Sequence, residues 1–130
     1  MAQPLIECIP NYSEARRPEV MDAIVDSILS VPGVTVLDRH SDIDHNRTVI
    51  TMVGSPDAVE EAAFQSIKKA QELIDLNEHE GAHPRIGATD VVPFVPISDV
   101  TMGECVELAR RLGKRVGEEL SIPVYLYEEA

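Results

Sequence analysis

Two short segments of the sequence carry the residue types that could do chemistry, and the first lies around His83. Pro84 and Arg85 follow this histidine directly. Proline restrains the residue before it toward an extended backbone, and an arginine guanidinium can hold a carboxylate through two hydrogen bonds. Because histidine titrates near neutral pH, His83 beside such a clamp could transfer a proton on an anionic substrate. From the residues alone, a proton-transferring His83 and a polar helix C-terminus are equally good interpretations of this segment.

The second segment, residues 40–47, places two imidazoles and two carboxylates within six positions. His40, Asp42, Asp44 and His45 offer the nitrogen and oxygen ligands that suit several divalent metal ions. Their spacing matches no fixed metal-site pattern, and polar loops between strands are common. A solvated loop is therefore the favoured interpretation, and a small metal site stays open as the alternative.

Glu7 is an acidic residue within an otherwise apolar stretch, and Asn11 follows it closely. A carboxylate in a strand can face solvent, or it can line an exposed sheet face where a ligand binds.

Cys8 and Cys105 have no neighbouring base in the sequence and are interpreted as small core hydrophobes. The glycines form neither of two phosphate-binding patterns, G-x-G-x-x-G and G-x-x-x-x-G-K-[ST].

The composition bounds the class of protein. A chain of 130 residues with 44% hydrophobic and 26% charged residues suits a single domain, taken as residues 1–130. Its net charge of -12 disfavours nucleic acid and anionic membranes as partners. Two distant cysteines, no signal-peptide pattern and no apolar run long enough to span a bilayer predict a soluble, cytoplasmic protein.

The hydrophobic pattern predicts the element order β-α-β-β-α-β-α-β, in which residues 40–46 form a polar loop. Predicted strands cover residues 5–9, 34–37, 48–53, 91–95 and 124–127, and the predicted helices begin at Pro18, Pro56 and Met102. The first six elements match the ferredoxin-like split βαβ pattern. The predicted fold class is therefore α/β of the α+β type, with helices packed on one face of a mixed or antiparallel sheet.

Four stretches of the chain resemble the N-terminal subdomain of the glutamate formimidoyltransferase (formiminotransferase) family. They are ECIPNYSE at 7–14, NRTV at 46–49, GAHPRIGATDVVPFVP at 81–96 and VYLY at 124–127. The stretch around His83 is long and specific, and the resemblance runs in order over essentially the whole chain. It implies a transferase that moves a formimino group from N-formimino-L-glutamate to tetrahydrofolate, in histidine degradation.

The resemblance also implies roles for individual residues. The catalytic histidine of the family falls on His83, with tetrahydrofolate as co-substrate and no metal. The expected substrate- or folate-binding residues are Glu7, Asn11, His40, Asp42, His45, Asn46, Arg47 and Arg85. One of the two arginines is expected to hold a substrate carboxylate.

The sequence departs from the family at two points. Ala15 stands where the family usually has glycine, and its Cβ could alter the loop that approaches the ligand. The family's transferase unit has a second subdomain after the position of Tyr127, whereas this sequence ends at Ala130. The expected partner is a second-subdomain-like chain or a second copy, and a non-catalytic folate- or partner-binding module is the alternative function.

Overall fold

The computed structural model describes residues 3–74 and 89–122. Its strands are β1 (Leu5–Cys8), β2 (Asn11–Tyr12), β3 (Val34–Asp42), β4 (Arg47–Gly54), β5 (Thr89–Val91) and β6 (Phe94–Ser98), and its helices are α1 (Pro18–Leu29), α2 (Pro56–Leu73) and α3 (Met102–Leu120). The predicted strand at residues 124–127 lies outside the described residues.

The sheet has the strand order β5-β2-β4-β1-β6, with β3 paired to β4. β1 and β2 run along β4 one after the other, and β5 and β6 pair with β2 and β1 respectively. The α+β, ferredoxin-like prediction is confirmed. All the pairs among the described strands are antiparallel, so the antiparallel alternative holds there and the mixed sheet does not.

The three described helices begin where the sequence signals place them. Pro18 opens α1 in its first turn. The Ser55 side chain caps α2 by accepting a hydrogen bond from the amide of Ala58 at 3.3 Å. Thr101 and Glu104 form a reciprocal capping box at the start of α3. The capping contacts of α2 and α3 satisfy amide groups that have no partner within the helix, and proline at the start of α1 has no amide hydrogen to satisfy.

All three helices contribute to one hydrophobic core against one face of the sheet. α1 packs beside α2, α2 lies across β1 and β4, and α3 packs on α2 and β6. The buried residues include Ile6, Cys8, Met21, Ile24, Ile50, Met52, Val59, Ala63, Phe94, Cys105 and Leu112. Both cysteines are free and buried, as predicted, and burial raises the pKa of the Cys8 thiol. Among the described residues, no helix has both the length and the apolar composition that crossing a bilayer requires.

Two predicted boundaries were wrong. β3 continues to Asp42, so the loop before β4 is residues 43–46 and His40 lies in a strand. Polar residues are compatible with this strand because it borders only β4 among the described strands and leaves many side chains exposed. The single strand predicted at residues 91–95 is two strands, β5 and β6, because the chain leaves β2 after Val91 and pairs with β1 from Phe94 onward.

The close approach of β4 to the turn after α1 predicts a large effect for Gly54→Ala. A Cβ at Gly54 would lie 2.5 Å from the carbonyl oxygen of Gly33 and 3.2 Å from a methyl group of Val59. We expect this overpacking to reduce the free energy of unfolding by about 1–3 kcal/mol in urea denaturation. Gly117→Ala is the control, since its Cβ meets no atom closer than 3.8 Å and alanine favours a helix. Equal stability of the two variants would contradict the packing described here.

Candidate functional site

The sheet has a second face, turned away from the core, and it carries most of the polar strand residues. Cross-strand pairing places Glu7 beside Val53 and Val95 on this face. The side chains on it are half-buried or exposed, whereas those at alternate positions of β1 and β4 are buried. We call it the distal face. It comprises Glu7, Asn11, Thr35, Asp38, His40, Asp42, Arg47, Val49, Thr51, Val53, Val91 and Val95.

The distal face brings together five of the residues that the sequence selected. Asn11 and His40 lie on either side of Val49, one on β2 and the other on β3. Asp42 lies opposite Arg47 at the end of the β3–β4 hairpin. Glu7 is the fifth, on β1. His45 and Asn46 lie in the adjoining turn.

His83 and Arg85, the other two predicted site residues, lie outside the described residues. Their roles stay as the sequence implies them. The described part of the site is therefore the distal face and the turn at its end.

The turn of residues 43–46 is held against the segment that precedes α1. The guanidinium of Arg16 donates hydrogen bonds to the carbonyls of Ile43 at 3.2 Å and Asp44 at 3.4 Å. The buried Asn46 accepts bonds through its Oδ1 from the amides of Ala15 at 2.7 Å and Arg16 at 3.2 Å. Asn46 thus holds residues 15 and 16, which directly follow the family-like stretch 7–14. Asn46 supports the site's backbone, and its binding role stays a prediction.

Glu14 is a structural anchor that sequence reasoning did not select. Its carboxylate is buried and accepts hydrogen bonds from the amides of Arg16 and Arg17 at 3.1 and 3.2 Å. The Arg17 guanidinium forms an ion pair with it at 2.7 Å. Its backbone carbonyl accepts a bond from the hydroxyl of Thr48 at 2.6 Å. The available signal was an acidic residue just before a helix start, where a negative charge meets free amides.

Ala15 fits this loop without backbone strain. Among the described non-glycine residues, positive φ angles occur only at Asn46, Asp99 and Ser121. Ala15 is buried, and its amide still reaches Asn46. The Cβ that distinguishes this chain from the family's usual glycine is therefore accommodated.

Tyr12 lies on the core side of the sheet and does not contribute its hydroxyl to the distal face. That hydroxyl donates a hydrogen bond to Ser66 at 2.6 Å, and the Ser66 hydroxyl donates to the carbonyl of Ala63 at 2.8 Å. Burial raises the pKa of the Tyr12 phenol. This pair of bonds anchors β2 to α2 beneath the neighbouring Asn11.

Asp42 and His45 are bonded to each other across the start of the turn. Oδ2 of Asp42 lies 2.7 Å from Nδ1 of His45, and its Oδ1 accepts a bond from the His45 amide at 3.2 Å. Within residues 3–74 and 89–122, no three histidine, cysteine or acidic side chains converge on a point that could hold a metal ion. The two hydrogen bonds between Asp42 and His45 close the turn.

The Asp42–His45 pair predicts a measurable pKa effect. Hydrogen bonds from His45 lower the pKa of the Asp42 carboxyl below its ordinary value of 3.8. A lowered carboxyl pKa means that the contact stabilises the fold above the unfolded-state pKa and is lost as pH falls through the folded-state pKa. In His45→Ala we expect the Asp42 pKa, followed by NMR titration, to rise toward 3.8. A pKa that does not move would show that the imidazole and its turn are not the cause.

Asn46 can be tested separately as a structural residue. Asn46→Gly keeps the backbone free to hold its φ of 51° but removes the Oδ1 acceptor, whereas Asn46→Asp keeps an acceptor oxygen. We expect the glycine variant to lose about 1–3 kcal/mol of stability, because a buried amide loses its partner. The aspartate variant should lose clearly less. Thermal or urea unfolding measures both, and equal losses would contradict the acceptor role.

The strand order and the polar distal face define an α+β, ferredoxin-like unit with a candidate ligand surface on its sheet. Residues 5–130 match the family described as the formiminotransferase domain, N-terminal subdomain. The chain belongs to this family, which confirms the resemblance drawn from the sequence.

Curated relatives extend the same comparison. The chain is 52% identical over 126 residues to the glutamate formimidoyltransferase of Streptococcus pyogenes, covering 97% of this chain and 42% of that protein. It is 56% identical to the protein of the same name in Thermoplasma acidophilum, with the same coverage. The formimidoyltransferase-cyclodeaminase of Sus scrofa is 50% identical over 97% of this chain and 23% of that protein. The chain thus spans less than half the length of each of these relatives.

Proposed function

We propose that this chain forms one part of a glutamate formimidoyltransferase, which transfers a formimino group from N-formimino-L-glutamate to tetrahydrofolate in histidine degradation. The observation that carries the proposal is the gathering of Glu7, Asn11, His40, Asp42 and Arg47 on one sheet face. Relatives named for this activity match nearly the whole chain. Tetrahydrofolate enters as a co-substrate, and the proposed reaction requires no metal.

The proposed reaction is an exchange of one amine for another at the amidine carbon. The pterin amine attacks that carbon and forms a carbon–nitrogen bond, which gives a tetrahedral intermediate. A proton leaves the attacking nitrogen, another reaches the glutamate nitrogen, and the bond to glutamate breaks. His83 is proposed to carry these protons, because one imidazole with a pKa near neutrality can act first as base and then as acid.

One of the two arginines is proposed to bind the carboxylates of the substrates. Formiminoglutamate and the folate tail both carry carboxylates, and a chain with net charge -12 repels them in general. Arg47, on the distal face, or Arg85 is proposed to offset this repulsion by binding a carboxylate. Because the guanidinium fork is planar, lysine at the true binding position should raise the Michaelis constant.

The partner we propose for the distal face is a further polypeptide of the same family. The matched segment is 42% of the Streptococcus pyogenes relative, so most of that protein lies outside it. Half-buried valines and charged groups share the distal face, as is typical of surfaces that meet a ligand or another domain. A second-subdomain-like chain, or a second copy of this one, would complete the site.

The activity can be tested by complementation. Formimino transfer is measured with this chain alone, with the part of the Streptococcus pyogenes relative outside the matched segment, and with the two polypeptides mixed. We expect transfer in the mixture and much less in either component. A stoichiometric complex that binds folate but never transfers the group would contradict the proposal and favour a non-catalytic folate-binding module.

A further inference from the structure

We propose that Glu7 selects the pterin ring of the folate by accepting hydrogen bonds from the ring's donor edge. This inference rests on the proposed function and adds to it the residue that recognises one end of the co-substrate.

Glu7 lies in the interior of the distal face. Its strand, β1, runs between β4 and β6, and the residues directly opposite are Val53 and Val95. Two positions away on β1, Leu5 and Ile9 follow the same alternation and are half-buried. The described neighbours of this carboxylate are therefore branched apolar side chains.

The described residues give the Glu7 carboxylate no hydrogen bond and no ion pair. Other carboxylates of the described chain contrast with it, since Glu14, Glu60 and Glu61 each bond an arginine. The half-buried Glu7 carboxylate would lose its remaining hydration when a ligand covers this face, so a ligand that binds here must supply donor groups to it. Glu7 is thus suited to a ligand that is flat and largely apolar on its faces but carries donors on its edge.

The pterin ring has this combination, and formiminoglutamate does not. Its 2-amino group and neighbouring ring N–H point in the same direction, which matches the two oxygens of one carboxylate. Its planar faces can rest on the valines that flank Glu7. Formiminoglutamate offers N–H donors only on its small amidine group, has no ring to cover these valines, and carries two carboxylates that Glu7 would repel.

The position of Glu7 also sets the direction of the bound folate. Arg47 lies six residues along β4 from Val53, the partner of Glu7. At about 3.3 Å per residue this separation is roughly 20 Å. The pterin would lie at the Glu7 end, and the glutamate tail of the folate would extend along β4 toward Arg47.

Glu7→Gln tests the inference in the complemented protein, because it keeps the side-chain shape but replaces one acceptor oxygen and removes the charge. The probes are 5-formyltetrahydrofolate and p-aminobenzoylglutamate, which lacks the pterin. We expect the first to bind about 10–100-fold more weakly, since hydrogen bonds to a charged group are the strong ones. Binding of p-aminobenzoylglutamate and the Michaelis constant for formiminoglutamate should not change. Asp26→Asn, an exposed charge change on α1, is the matched control.

Unchanged binding of 5-formyltetrahydrofolate, or an equal loss for both probes, would overturn the role of Glu7. If Glu7→Gln fails to fold by circular dichroism, Glu7→Asp keeps the charge, and loss confined to the pterin-containing probe is then the expected result. If the two wild-type polypeptides together bind folate through Glu7 but show no transfer, the proposed function is refuted and the role of Glu7 is not. If the group is transferred but folate binding does not depend on Glu7, the role of Glu7 is refuted and the proposed function is not.

Discussion

His83→Ala is expected to reduce formimino transfer by roughly 10²–10⁴-fold in any assembly that shows the activity, because general acid–base groups usually contribute that much. The reaction must remove a proton from one nitrogen and deliver a proton to another, and an imidazole can do both near neutral pH. The measurement is kcat in the complemented protein, with circular dichroism to show that the fold is retained.

His79→Ala provides the matched control for this variant. His79 belongs to the same segment but is interpreted from the sequence as a polar residue near a helix end, where a cation is favourable. It should retain activity close to wild type. If His83→Ala stays within a few-fold of wild type, or if both variants lose activity equally, the assignment of His83 is wrong.

Glu14→Ala is expected to cause a large loss of stability, about 3 kcal/mol or more in urea denaturation, because it breaks a buried ion pair. The substitution removes the acceptor for two backbone amides and the partner of Arg17 in a buried position. Because the same segment holds Asn46, the turn beside the distal face should also loosen.

Glu119→Ala tests whether this loss comes from burial rather than from charge. Glu119 pairs with Arg115 at 3.1 Å on the exposed surface of α3, and exposed ion pairs contribute only about 0–1 kcal/mol. A similar loss in both variants would show that Glu14 is not the anchor of the α1 start.

The helices were predictable because their signals are local. Pro18, the Ser55 cap and the box from Thr101 to Glu104 each depend on residues within one turn of the helix they start. The antiparallel ferredoxin-like arrangement followed from the order of the elements.

The end of β3 was not predictable from local pattern. Residues 38–42 are polar, and such a run is typical of loops. Pairing with β4 keeps the run extended and places Asp38, His40 and Asp42 on the distal face. The two alternate residues face the other way and have polar partners, since Arg39 bonds Asp22 and Ser41 bonds Thr48. The same pairing is what brings His40 and Asp42 close to Arg47 and Asn11, so the error in the strand hid part of the site's geometry.

The roles of Asn46 and Glu14 depended on contacts between residues far apart in the sequence. Asn46 reaches Ala15 across a separation of 31 positions, and Thr48 reaches Glu14 across 34. Sequence reasoning selected Asn46 as a binding residue and left Glu14 unassigned. In the structure both side chains hold backbone amides in place beside the distal face.

The central claim is that folate lies on the distal face, and nuclear Overhauser contacts from folate protons to labelled valine methyl groups test it most directly. The sample is the complemented protein saturated with 5-formyltetrahydrofolate. We predict contacts from Val53 and Val95, which flank Glu7 on the distal face. Val20 on α1 and Val59 on α2, which are buried in the core, should show none. Folate contacts to the helix-side valines, with none to Val53 or Val95, would contradict the account.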